Sequence, residues 1–350
     1  MVTTKKEVEG KSTKSLWESE LVKPITATKY IEETADTEKM ILFGESNAGK
    51  TSYYLSILSF LKSVKKLDKE DLLMCIVYPD RPTGIKKLEG LIPVEYRDSV
   101  LVFPINTYEE LISATAVAEK RLKEHFKKTG KHGWLVLELL EEAWKMSQDY
   151  YTREAYGETL GDYFAQKRAE VKAMKTDDSA YKSLTGWGDW SVIKFFHNYN
   201  WIDIIKRMPF NVVFTSEIKQ EGNKDSIFYD LGYRPAGEKD NMHRVDTIIY
   251  LSHKGNMFKM RPYKLTGFKK LYGEIDITNK NPYSEHKKAC KRLEDLGYKS
   301  SAIEELEQST GIKPPKKKPA EKNEPAKKPE KKENGEEEKK EGEIDWDMEL

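Results

Sequence analysis

The sequence predicts an α/β fold whose central sheet is buried on both faces and joined by right-handed crossovers. Three observations predict it. Short apolar runs recur between about residues 29 and 310, most of them bounded by Pro, Gly or polar residues. Stretches with helical spacing separate most of these runs. The runs are continuously apolar rather than alternating, which is how strands covered on both faces read.

Met40-Ile41-Leu42-Phe43 is the first strand. Thr51 to Leu67 follows as a helix, with Tyr54, Leu55, Leu58 and Leu61 at helical spacing. Leu72 to Tyr78 reads as a strand stopped by Pro79, and Val100 to Phe103 as another stopped by Pro104. A helix over Tyr108 to Lys128 ends at Gly130. Trp134 to Leu139 and Asn211 to Thr215 are the fourth and fifth strands. Asp246 to Leu251 and Met257 to Tyr263 form a hairpin around Gly255-Asn256. Residues 149–200 interrupt the rhythm, helical in propensity and rich in Tyr, Phe and Trp. Residues 217–245 are polar and irregular, and long loops inside compact domains usually carry function or disorder.

These readings divide the chain into a polar N-terminal arm (1–30), a core (31–285), a helical segment (286–312) and a charged tail (313–350). The tail's Lys-Pro-Ala-Glu composition cannot bury a core and predicts disorder. Its charge is polarised: 9 Lys against 3 acids in 313–332, then 2 Lys against 9 acids in 333–350. The tip ends Ile344-Asp345-Trp346-Asp347-Met348-Glu349-Leu350, an acidic segment with apolar anchors. It suits a protein partner gripping Trp346, or autoinhibition of a basic groove.

Composition excludes several classes. Of 350 residues, 38% are apolar and 34% charged, yet the formal net charge is only +1, so bulk charge indicates neither nucleic acid nor membrane. No apolar run approaches the length of a membrane span. Two distant cysteines, Cys75 and Cys290, predict a reducing, cytoplasmic setting, the host cytoplasm if the chain is viral. Neither cysteines nor histidines show metal-ligand spacing.

The sharpest signal is Gly44-Glu45-Ser46-Asn47-Ala48-Gly49-Lys50-Thr51, followed by Ser52, which fits G-x-x-x-x-G-K-[ST]. Such a loop turns successive backbone N–H groups onto a polyphosphate, and the following helix offers its N-terminus to the anion. Lys50 would meet the terminal phosphates and Thr51 would hold Mg²⁺. His132 to Glu138 has the shape of a strand with a terminal acid that steadies the metal's water shell from beside the phosphate loop. Here that acid is Glu rather than the usual Asp. Alternatively, Glu138 merely begins the helix containing Glu141 and Glu142. Asp80, past the second strand, is a candidate general base or a turn former. Thr215 and Glu217, closing the fifth strand, are candidates to sense the γ-phosphate or a polar strand end.

The order of these motifs resembles that of the RecA-like ATPases, especially the RecA-like AAA-type ATPases of phages and mobile elements. The likeness covers about residues 38–270. It runs from the Gly44–Thr51 loop through Trp134-Leu135-Val136-Leu137-Glu138 and Trp187-Gly188-Asp189-Trp190. It continues to Asn211–Glu217 and His243-Arg244-Val245-Asp246. The resemblance implies a P-loop NTPase with a mostly parallel sheet and ATP and Mg²⁺ held between subunits of a ring or filament. It also implies a basic finger acting on the neighbour's nucleotide, matched here by Lys259 and Arg261, with Lys264 and Arg244 as alternatives. Residues 149–200 and 217–245 stand where such proteins carry DNA-binding loops. The second has Lys219, Lys224, Arg234, Lys239 and Arg244 interleaved with Phe228, Tyr229 and Tyr233, a mixture suited to single-stranded DNA but offset by acids. The function expected from the likeness is a DNA-associated ATPase in recombination or replication of a mobile genome. A translocating or packaging motor, a helicase and an ATP-gated adaptor acting through its tail are the alternatives. A small-molecule kinase fits least, since nothing reads as a lid or acceptor pocket.

Overall fold

A computed structural model describes residues 37–79, 91–174 and 186–299. The expected arm, Asp80 and the charged tail lie outside the described residues. The chain divides at Thr37, and the unit that follows carries the fold.

Its centre is an eight-stranded sheet in the order β3-β2-β4-β5-β1-β8-β9-β10. The strands are β1 (Lys39–Gly44), β2 (Met74–Tyr78), β3 (Val100–Pro104), β4 (Trp134–Leu137), β5 (Asn211–Ser216), β8 (Thr247–Lys254), β9 (Met257–Leu265) and β10 (Ile275–Asp276). β3 through β8 run parallel, and β9 and β10 continue the sheet antiparallel. The sheet is therefore mostly parallel, as the sequence predicts.

The continuous apolar runs resolve into two faces by the two-residue period of a strand. Met40, Leu42, Met74, Ile76, Val136 and Val213 point to one core with α1 (Lys50–Ser63). Tyr283, on α7 (Pro282–Asp295), joins that core. Their alternate neighbours Ile41, Phe43, Cys75, Val77, Leu135 and Val212 point to the other, with α2 (Tyr108–Thr129) and α3 (Leu140–Tyr156). Thr107 caps α2 by accepting the Glu110 N–H at 3.2 Å, and Gly130 ends it at φ 69°, a conformation glycine adopts at no steric cost.

Several expectations are corrected. β4 is not adjacent to β1, because β5 lies between them. The fourth strand stops at Leu137, two residues early, since Leu139 turns to φ 61°. Residues 217–245 are not an irregular loop: β6 (Ile218–Gln220) and β7 (Tyr233–Pro235) pair as a small antiparallel ribbon. In line with the helical propensity read for residues 149–200, the described part of the aromatic-rich region is a packed helical layer of α3, α4 (Leu160–Met174) and α5 (Gly186–Lys194), the last continuing as a π-helical stretch over Phe195–Ile202 into α6 (Asp203–Arg207). Tyr163 and Ile193 anchor a third cluster there, and the Trp144 and Trp190 rings stack 6.1 Å apart.

Candidate nucleotide site

The phosphate-type loop joins the end of β1 to the start of α1. At Gly44 a Cβ would lie 2.2 Å from the Leu251 carbonyl oxygen of β8, so only glycine lets the two strands approach here. Gly49 stands at φ 92° immediately before α1, and Asn47 also takes a left-handed conformation at φ 64°. Glu45, Ser46 and Asn47 are exposed along the loop, and Ala48 is buried beneath it. Ser52, one turn into α1, is exposed.

Lys50 is buried and donates to the carbonyls of Gly44 at 2.8 Å and Glu45 at 2.9 Å. Burial lowers its pKa, and the carboxylates of Glu217, Glu141 and Glu138 oppose that shift. Thr51 donates its hydroxyl to Glu138 Oε1 at 2.9 Å, and buried Tyr54 donates to Oε2 at 2.8 Å. Burial pushes the Tyr54 phenol well up, and the facing carboxylate adds to it. Glu138 thus reaches past β5 to the first turns of α1. The longer glutamate side chain suits that extra span.

The other β-strand ends complete the cluster. Thr215 is fully buried and accepts the Leu139 N–H at 2.9 Å, so its hydroxyl secures the turn after β4. The Glu217 N–H is shared by the two Glu141 oxygens at 3.2 and 3.3 Å. Burial raises the Glu141 pKa. Ser216 donates to the Ala236 carbonyl at 3.2 Å, tying the β6–β7 ribbon to this edge.

The basic candidates separate by surroundings. Lys259 and Arg261 are both exposed on one face of β9, as their spacing requires. Lys259 pairs with Glu274 at 2.6 Å, and Arg261 lies over the Tyr263 ring at 5.1 Å. Lys264 donates inward to Met242, and Arg244 pairs with Asp203. In the ribbon, Phe228 is 1% exposed and Arg234 is buried against Glu221, so neither offers a stacking or phosphate-tracking surface. Tyr229, Tyr233, Lys219 and Lys224 are exposed.

Two residues escaped the motif reading. Tyr54 reads as an apolar core position of α1, and Glu141 as an ordinary acid in a helix's first turn. Their roles come from strand order, which spacing along the chain does not encode. No metal-binding cluster of three or more His, Cys, Asp or Glu occurs among the described residues, nor any helix long and apolar enough to cross a membrane.

No protein-family profile matches the chain, and no curated protein matches it. Among solved structures, a prototypical ATPase from the type III secretion system of pathogenic bacteria aligns at 12% identity with a TM-score of 0.34. The alignment covers 62% of this chain and 52% of that one, so the chain spans about half of that protein's length. A likeness of this degree establishes neither family nor activity, and the functional conclusion rests on the chain's own residues.

Proposed function

We propose that the chain binds ATP with Mg²⁺ at the Gly44–Thr51 loop and hydrolyses it. One observation carries this reading: at the N-terminus of α1, Thr51 bonds the Glu138 carboxylate and Lys50 lies within the electrostatic influence of Glu138, Glu141 and Glu217, all at the C-terminal ends of parallel strands. The Gly44 cradle and the left-handed Gly49 fit a polyphosphate wrapped by backbone N–H groups. Thr51 and Glu138 offer the hard oxygen donors that Mg²⁺ takes. The metal would supply charge neutralisation at the phosphate oxygens. Lys50 would leave the Gly44 and Glu45 carbonyls to meet the same charge.

Three finer parts of the reading follow. Arg261, exposed and held over Tyr263, is the better-placed finger toward a second copy of the chain, since Lys259 already has Glu274. Single-stranded DNA would lie on the exposed side of the β6–β7 ribbon, against Tyr229, Tyr233, Lys219 and Lys224. That ribbon is bonded to the same edge as the nucleotide loop, which supports an ATP-dependent action on DNA in recombination or replication. The tail tip around Trp346 would recruit a protein partner.

The test is ATP hydrolysis and assembly state, measured with and without single- and double-stranded DNA, for the full chain and for residues 1–312. Magnesium-dependent hydrolysis stimulated by single strands is the expected result. Hydrolysis indifferent to DNA would remove the DNA part and leave the ATPase. Absence of both ATP binding and hydrolysis would remove the whole reading.

A further inference from the structure

We propose that Glu141 is the carboxylate that orients the attacking water and takes its proton during hydrolysis. This rests on the nucleotide reading above and adds to it a residue that no motif assigns.

Ser216 pairs with Phe43, which sets Glu217 beside Gly44 at the start of the phosphate loop, and Glu141 is bonded to the Glu217 N–H; with Glu138, these are the acids that oppose the lowering of the Lys50 pKa by burial. Lys50 is the group that meets the terminal phosphates, so a base must come from an acid near it that has accepting capacity left. Glu138 is held by Thr51 and Tyr54, and the nucleotide reading above already commits it to the metal. Glu217 is exposed at the outer lip, and its part in the cluster is played by its backbone N–H. Glu141 is half-buried, and its two oxygens share that single N–H at 3.2 and 3.3 Å. Its own backbone N–H is a second donor; an ionised carboxylate has about four lone-pair sites, so these two donors leave room for a water.

The surroundings fix Glu141 in place. It lies one turn past Glu138, beyond Leu139, whose left-handed backbone at φ 61° is held by the Thr215 hydroxyl. Gly237 closes the other side, where a Cβ would lie 3.3 Å from the Leu140 carbonyl oxygen. Burial raises the proton affinity of Glu141, which suits a group that must accept one.

The step balances simply. The water oxygen bonds to the γ-phosphorus, and the bond from that phosphorus to the β–γ bridging oxygen breaks, its electron pair leaving on ADP. The water proton passes to ionised Glu141 and then to solvent, and inorganic phosphate departs.

Glu141→Gln tests this directly. The amide keeps an oxygen to accept the Glu217 N–H, so the fold and ATP affinity by calorimetry should stay within about threefold of wild type. Loss of a general base should lower kcat by roughly 10²- to 10⁴-fold. A second readout needs no turnover: trapping of ADP with aluminium fluoride, a mimic of the transferring phosphoryl group, should be lost while ADP binding persists. If Glu141→Gln does not fold, Glu141→Asp, which keeps the charge one methylene short, should still lose about tenfold or more in kcat with ATP affinity kept. Wild-type turnover and trapping in the folded variant would overturn the assignment. So would a loss in Glu217→Gln or Asp80→Asn exceeding that of Glu141→Gln. A wild-type protein that neither binds nor hydrolyses ATP removes both claims. An active Glu141→Gln beside an active wild type removes only this one.

Discussion

The Thr51 hydroxyl donates to Glu138 Oε1 at 2.9 Å, joining the first turn of α1 to the end of β4 across the intervening β5. Under the proposed function these two oxygens would hold the magnesium ion, and in the structure each already faces the other. The bond places the acid by geometry, where the sequence offers only a carboxylate after four apolar residues.

Glu138→Gln should therefore lower hydrolysis far more than ATP binding. The amide keeps the shape and loses the charge that steadies the metal's water shell. A fall of about 10²-fold or more in kcat, with ATP affinity nearly unchanged, is the expected pattern. Wild-type kcat in this variant would return Glu138 to a purely structural role beside Tyr54.

Gly44→Ala should damage the loop itself. Its Cβ would meet the Leu251 carbonyl oxygen at 2.2 Å, and backbone on both strands must move to relieve it. Overpacking of this kind costs typically about 1–3 kcal/mol. Urea denaturation should show that loss together with weakened ATP binding. An alanine variant as stable and as tight as wild type would mean that β1 and β8 do not approach in this way.

Arg261→Ala should spare ATP binding by a single chain and weaken hydrolysis that depends on assembly. Fingers acting across a subunit boundary are worth about 10³-fold or more. Mixing Arg261→Ala with Lys50→Ala chains should restore part of the activity, since each supplies what the other lacks. Undiminished activity of Arg261→Ala alone would transfer the role to another cation or abolish it.

Stability should fall with acid through a buried histidine. His197 is 0% exposed, between Ser147 at 3.0 Å and Asn241 at 3.3 Å, and burial lowers its pKa from the ordinary 6.5 to about 3. Below pH 6.5 the unfolded chain takes up a proton that the folded site refuses. The stability held above that pH is therefore lost as pH falls from 6.5 toward about 3. At pH 5 the loss from this one group is about 2 kcal/mol. His197→Asn should flatten the slope of unfolding free energy between pH 7 and pH 5, whatever its effect on absolute stability. An unchanged slope would contradict a neutral buried imidazole.

Much of the fold is legible in the sequence because its strands are covered on both faces. Met40, Ile41, Leu42 and Phe43 need to be apolar without interruption only if neighbours lie above and below. The phosphate loop is legible because its chemistry is contiguous: Gly49, Lys50 and Thr51 act together and stand together. The rest of the site depends on which strand lies beside which. The insertion of β5 between β1 and β4 decides that Tyr54 reaches Glu138 and that Glu141 reaches Glu217. No spacing along the chain records that order. The β6–β7 ribbon was hidden for another reason: Gly222, Gly232 and Gly237 and many acids mask strands of three residues each. The π-helical stretch at Phe195–Ile202 keeps a helical apolar pattern and is not distinguishable by period.

The central claim is that Lys50 is a phosphate ligand rather than a core residue, and calorimetry of magnesium-ATP binding to the wild type and to Lys50→Ala tests it most directly. Among the described residues its ammonium bonds to the Gly44 and Glu45 carbonyls, within its own loop. Its removal should leave the unfolding transition in place. The account predicts binding by the wild type and a loss of tenfold or more, about 1.4 kcal/mol or more, in a folded Lys50→Ala. Undiminished affinity in the folded variant would contradict it.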